Sequence, residues 1–79
     1  MKVVVNVSLK EGVLDPQGKA VHHALGSLGF NEVKDVRIGK RIVLDIDGEN
    51  KEEIKSRVKD MCEELLANTV IEDYFIEVE

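Results

Sequence analysis

From Lys2 to Lys10 the side chains divide cleanly by parity: Val3, Val5, Val7 and Leu9 fall on one side, Val4, Asn6, Ser8 and Lys10 on the other. A period of two is that of a half-buried strand, so the chain must cover one apolar face early in its length. Asp15 and Pro16 then supply an N-cap and a first-turn proline. Ala20, Val21, Ala24, Leu25 and Leu28 follow at helical spacing, and Gly29 stops the element. Gly18 and Gly26 inside this first helix each cost about 1 kcal/mol relative to alanine, and either close backbone approach or a helix held up by packing accounts for them, with packing the favoured account.

Val33–Ile38 and Ile42–Asp47 read as a second and a third strand. Parity selects a three-residue loop, Gly39-Lys40-Arg41, because only that length puts Val36, Ile38, Ile42, Leu44 and Ile46 on one face. Gly48 ends the third strand. Asn50 and Glu53 resemble a capping box, and Ile54, Val58, Met61, Cys62, Leu65 and Leu66 mark an amphipathic second helix that stops at Asn68. Glu72–Glu79 alternates again, with Tyr74, Ile76 and Val78 inward and Asp73, Phe75 and Glu77 outward. Strand, helix, strand, strand, helix, strand predicts an α+β, ferredoxin-like (split βαβ) fold over residues 1–79 as one domain. It has four antiparallel strands in the order four, one, three, two, with both helices on one face. The other face is left open, and Val4, Val43 and Phe75 on adjacent strands are the candidates for self-association there.

Composition narrows the function classes. With 43% hydrophobic and 34% charged residues the chain has the balance of a folded globule, and no apolar run exceeds three residues, far short of the roughly 20 that span a membrane. No secretory leader precedes the first strand and the lone Cys62 has no internal disulfide partner, which together predict a cytoplasmic protein. The net charge of −5 argues against a nucleic-acid backbone partner. The first and third strands also carry no aromatic on which a base could stack. The charge is uneven: residues 60–79 hold seven acids and no Lys or Arg, while Lys34, Arg37, Lys40 and Arg41 gather mid-chain.

No catalytic constellation emerges. Cys62 lies in the apolar stripe of the second helix, where a small hydrophobe suits the packing. His22 and His23 point about 100° apart on a helix, which is not metal-gripping spacing, and are expected on the surface. Asp45-Ile46-Asp47-Gly48-Glu49 has Val43 where a calcium loop needs its first acid. Gly26-Ser27-Leu28-Gly29 closes a helix, whereas phosphate-binding loops open one. These residues support an oligomeric binding or scaffold module.

Three separated blocks are more specific than a fold requires: Ser8 through Gly18, Val33 through Lys40, and Met61 through Tyr74. In that order they closely resemble the PurS family, the small component of bacterial and archaeal phosphoribosylformylglycinamidine synthase, over essentially the whole chain. The resemblance implies a subunit of a ligase, without activity when isolated, that joins a glutaminase subunit to a large synthetase subunit as a homodimer or higher oligomer. ATP and magnesium are implied on the large subunit and no cofactor on this chain. Such a scaffold acts through proximity and exclusion of water, delivering ammonia from glutamine to activated formylglycinamide ribonucleotide in purine biosynthesis. The candidate partner contacts are Asp15, Gln17 and Gly18 at the entrance to the first helix, Arg37 and Lys40 at the hairpin, and Asn68, Thr69, Glu72, Asp73 and Tyr74 leading into the fourth strand. The competing reading is a stand-alone dimeric regulatory domain that binds a small effector.

Overall fold

The computed structural model describes all 79 residues, Met1–Glu79. The elements are β1 (Lys2–Leu9), α1 (Pro16–Ser27), β2 (Lys40–Asp45), α2 (Lys51–Met61), continued by one wider π turn (Cys62–Leu66), and β3 (Glu72–Val78). β1 is central and antiparallel to both neighbours, in the order β2-β1-β3, with Val4 opposite Val43 and Val5 opposite Ile76. The strand alternation holds: Val3, Val5 and Val7 are buried against Ile54, Val58, Cys62 and Ala67, with Ile42, Leu44, Ile46, Tyr74, Ile76 and Val78 packed around them.

Both helices start where their capping residues place them. Asp15 accepts from the Gly18 N–H at 2.9 Å, and Asn50 Oδ1 accepts from the N–H groups of Glu52 and Glu53, satisfying donors that the first turn leaves free. α1 ends as Gly29 takes φ +96°, a left-handed conformation that glycine adopts without steric cost. At the far end of α2 the Ala67 N–H reaches back to the Cys62 carbonyl at 3.1 Å. The wider turn breaks the phase of the apolar stripe, so Cys62 is fully buried while Leu65, expected inward, is 82% exposed.

Three expectations are corrected. Within the chain the sheet has three strands: Val33–Ile38 does not double back on β2 but runs without turn or bend through Gly39 straight into it. A tight hairpin calls for residues with positive φ, and only Gly12, Gly29 and Gly48 have one; Gly39 does not. Second, only α2 covers the sheet. α1 makes no substantial contact with strands or with α2, and Val21 and Leu28 of its apolar stripe lie exposed. α1 and residues 30–38 therefore form an arm beyond the end of the sheet. The molecule measures 49 × 24 × 14 Å, with a radius of gyration of 16.0 Å where a compact chain of this length has about 12 Å. Third, close approach and not mere tolerance explains Gly18, since a Cβ there would collide with the Val36 carbonyl and lie 2.8 Å from Asp15 Oδ2. Gly26 has open space around it.

Because the core is thin, each buried contact between α2 and the sheet counts. Val58→Ala, at a fully buried position, is expected to cost about 2 kcal/mol, read from the midpoint of urea unfolding.

Candidate functional site

The sheet meets the arm at a joint built by one carboxylate and one guanidinium. Asp15 is buried, and while Oδ1 caps α1, Oδ2 accepts from the Ile38 N–H at 2.7 Å, tying residues 33–38 to the entrance of α1. Arg37 donates to the carbonyls of Val13 at 2.8 Å and Lys10 at 3.1 Å, closing the 10–14 loop whose Gly12 has φ +86°. His22 Nε2 lies 2.8 Å from the Val33 carbonyl and pins the far end of the same segment, so His22 is half-buried while His23 stays exposed. A ring nitrogen facing a carbonyl carries the proton.

The third sequence block closes the joint from the other side. Asn68 Oδ1 accepts from the Val70 N–H, its carbonyl accepts from Ile71 and Glu72, and Glu72 Oε1 accepts from the Asn68 N–H at 2.7 Å. The other Glu72 oxygen pairs with Lys40 Nζ at 3.7 Å. The Lys10 N–H donates to the Ile71 carbonyl at 2.8 Å, fastening this turn to the 10–14 loop. Together the three blocks surround a groove of about 460 Å³. Val7, Leu9, Val13, Leu14, Ile38 and Ile71 give it an apolar lining, and Asp15, Gln17, Lys40 and Glu72 add the polar side chains.

Four of the predicted contact residues, Asp15, Gln17, Lys40 and Glu72, thus line one groove although 57 positions separate the first from the last. Gly18, Arg37 and Asn68 frame it through the contacts given above. Thr69 is exposed in the adjoining turn, and Asp73 is exposed with its carboxylate 3.9 Å from Lys10 Nζ. Tyr74 lies elsewhere, on the inner face of the sheet, where its hydroxyl donates to Glu63 Oε2 at 2.8 Å. On the open face Val4 opposes Val43, and Phe75 opposes Asn6 two residues along β1, diagonal to Val4. Val4 is only 1% exposed and already covered, leaving Val43 and Phe75 as the accessible part.

The lining that sequence reasoning missed is Val13, Leu14 and Ile71, which sit outside any complete periodic pattern, and Ile38, which the pattern places only on a strand's apolar face. A signal existed in Leu14, an apolar residue directly before a helix cap, and it stands 64% exposed. The groove presents an apolar slot whose buried acid is committed to backbone donors. No cluster of three His, Cys, Asp or Glu side chains capable of holding a metal occurs in the structure. No helix is long and apolar enough to cross a membrane. Cys62, the one thiol, is buried away from the groove, and burial pushes its pKa up, with the neighbouring Glu63 charge adding to the effect.

The PurS family, described as phosphoribosylformylglycinamidine (FGAM) synthase, matches residues 2–79. The phosphoribosylformylglycinamidine synthase subunit PurS of Bacillus subtilis is 63% identical over 78 residues, covering 99% of this chain and 92% of that protein. The PurS subunit of Methanocaldococcus jannaschii is 50% identical, with 99% and 94% covered. Among solved structures, Bacillus subtilis PurS superimposes with a TM-score of 0.89, covering 99% of this chain and 96% of that one. A chain in the structure of PurLQS from Thermotoga maritima superimposes at 0.87 with 38% identity, covering 96% and 93%.

Two titrations test this geometry. Backbone N–H groups of Ile38 and Gly18 hold the Asp15 carboxyl below the usual carboxylate range, burial opposes them, and Arg37 assists. Because the folded-state pKa is depressed, the stabilisation is complete above the ordinary carboxylate range and fades as pH falls through the lowered value. Asp15→Asn keeps an acceptor for Gly18 but faces Ile38 with a donor. Its urea midpoint is expected to fall at neutral pH and to lose part of the wild-type decline on acidification. The hydrogen bond to Glu63, aided by burial, pushes the Tyr74 hydroxyl up to about 12. As the only tyrosine in the chain, it reports alone in ultraviolet absorbance, and Glu63→Gln is expected to bring its titration down toward the ordinary value of about 10.

Proposed function

The chain belongs to the PurS family of phosphoribosylformylglycinamidine synthase subunits, and on that premise we propose that residues 1–79 act as one unit joining the glutaminase subunit to the large synthetase subunit of that ligase. The Thermotoga maritima relative belongs to a structure named PurLQS, which supports a place in a complex of this kind. The observation that carries the reading is the convergence of three distant blocks on one apolar groove with no free reactive group in it. Such a surface can seat a partner side chain and position two active sites. Ammonia released from glutamine then reaches activated formylglycinamide ribonucleotide before water competes, an effect of proximity and solvent exclusion. ATP and magnesium belong to the large subunit in this scheme, the complex works in the cytoplasm, and this chain acts as a homodimer or higher oligomer. The four-stranded ferredoxin-like arrangement is reached when residues 33–38 gain a strand neighbour.

Reconstitution from the purified subunits tests the reading. Glutamine-dependent amidine formation is expected to require this chain, and the requirement is expected to shrink when ammonium salt replaces glutamine. Leu14→Asp, a change at an exposed groove position, is expected to lower glutamine-dependent turnover at least tenfold while leaving the ammonia-driven rate nearly unchanged. Cys62→Ala is expected to leave both rates intact. Equal activity with and without the chain in both assays would show that it is no coupling subunit.

A further inference from the structure

β3 ends the sheet on the side away from β2, and only one of its two edges is paired. In an antiparallel ladder, opposed residues alternate between exchanging both backbone bonds and exchanging none. The Glu79 N–H on the Lys2 carbonyl and the Lys10 N–H on the Ile71 carbonyl fix that phase, so Asp73, Phe75 and Glu77 spend their backbone groups on β1. The backbone groups of Tyr74, Ile76 and Val78 therefore point away from the sheet, and none of the loop or cap hydrogen bonds reaches them. Such an edge is a template for a further strand. Beside it on the inner face lies an indentation of about 340 Å³, lined by Tyr74 and Ile76 of β3 and by Glu52, Lys55, Ser56 and Lys59 of α2. On the outer face Phe75 stands 65% exposed between the exposed acids Asp73 and Glu77. Lys10 lies 3.9 Å from the Asp73 carboxylate, and Glu77 accepts from the Asn6 amide.

We infer that this edge receives an extended segment of one of the partner subunits, which adds a strand beyond β3 and carries basic side chains on its outer face and aliphatic ones on its inner face. This rests on the joining role proposed above, which needs a second docking surface besides the groove, because one site does not hold two proteins at once. Main-chain bonds to Tyr74, Ile76 and Val78 supply the attachment, and alternate side chains supply the selectivity. An inward aliphatic side chain fills the indentation against Tyr74 and Ile76, along the hydrocarbon stems of Lys55 and Lys59. An outward arginine or lysine lays its stem across Phe75 and sets its charge between Asp73 and Glu77. The charge of the region favours a basic segment, since residues 60–79 hold seven acids and no Lys or Arg. The same charge turns away a second copy. Antiparallel pairing centred on Ile76 sets Asp73 opposite Glu79, and pairing centred on Phe75 sets Asp73 opposite Glu77, so acid meets acid in either register.

Hydrogen exchange across residues 72–79 of the intact chain, alone and with a saturating amount of the purified large synthetase subunit or glutaminase subunit, tests the docking. The Tyr74, Ile76 and Val78 amides are expected to exchange freely in the chain alone and about a hundredfold slower with one of the two subunits. Asp73→Lys combined with Glu77→Lys changes only exposed side chains. The double variant is expected to keep the circular dichroism of the wild type and to bind that subunit about tenfold or more weakly. Protection of the three amides in the chain alone would assign the edge to a second copy and overturn the docking. Amides that neither subunit protects, or binding that the double substitution leaves as tight, would overturn it equally. If glutamine-dependent turnover in the reconstituted enzyme still requires the chain, the joining role stands and only this edge is wrong; loss of that requirement removes both.

Discussion

The two oxygens of Asp15 connect parts of the chain that lie far apart in sequence. One caps α1 and the other holds the Ile38 amide 23 residues away. Without that bridge, residues 33–38 would have only the His22 contact to Val33 and the Arg37 contacts to the 10–14 loop to keep them in place. The exclusion of a side chain at position 18 follows from the same arrangement, because the Val36 carbonyl comes down onto the helix there. A buried carboxylate is costly in isolation, and short bonds to backbone donors offset that cost while forcing a defined geometry on everything attached.

From this joint follow both the groove and the shape of the molecule. The sheet and α2 form a small core of valines against Ile54, Val58 and Cys62, and the arm leaves that core instead of folding over it. A domain of this size that spends a helix and a strand on an extension gives up apolar burial, since small chains have little core to begin with. The exchange is reasonable for a subunit whose work is to touch other proteins. Charge follows the same division. Lys34, Arg37, Lys40 and Arg41 lie on the run that joins arm to sheet, while the seven acids of residues 60–79 lie on the end of α2, the π turn after it, β3 and the residue that follows β3.

Much of the local structure was readable residue by residue. Alternation in β1 and β3 placed every inward side chain, and Asp15-Pro16, Asn50 and Gly29 located helix ends, because these signals act within a few residues of themselves. The hairpin failed for a physical reason. Side-chain parity is the same whether 33–38 folds back on its own β2 or lies beside another chain's, and Gly39-Lys40-Arg41 lacks the Asn-Gly or Asp-Gly pair that would have forced a reversal. The stripe of α1 misled likewise, since amphipathicity says that a face wants cover without saying whose surface supplies it. For the groove, the sequence blocks named Asp15, Gln17, Lys40 and Glu72 but not the intrachain role of Arg37, whose guanidinium donates to the carbonyls of Val13 and Lys10.

The amino-acid order alone determined three of the strands and both helices, the inward set of each sheet strand and the likeness to PurS. All of these depend on periods of two or 3.6 residues, on caps, or on residue identity. Tertiary structure decided that α1 stands away from the sheet, that three distant blocks enclose one apolar groove, and that an open strand edge runs from the arm into β2. Those outcomes turn on long-range hydrogen bonds such as Asp15 to Ile38 and Lys10 to Ile71, whose partners are chosen by the geometry of the whole chain and leave no mark in local sequence.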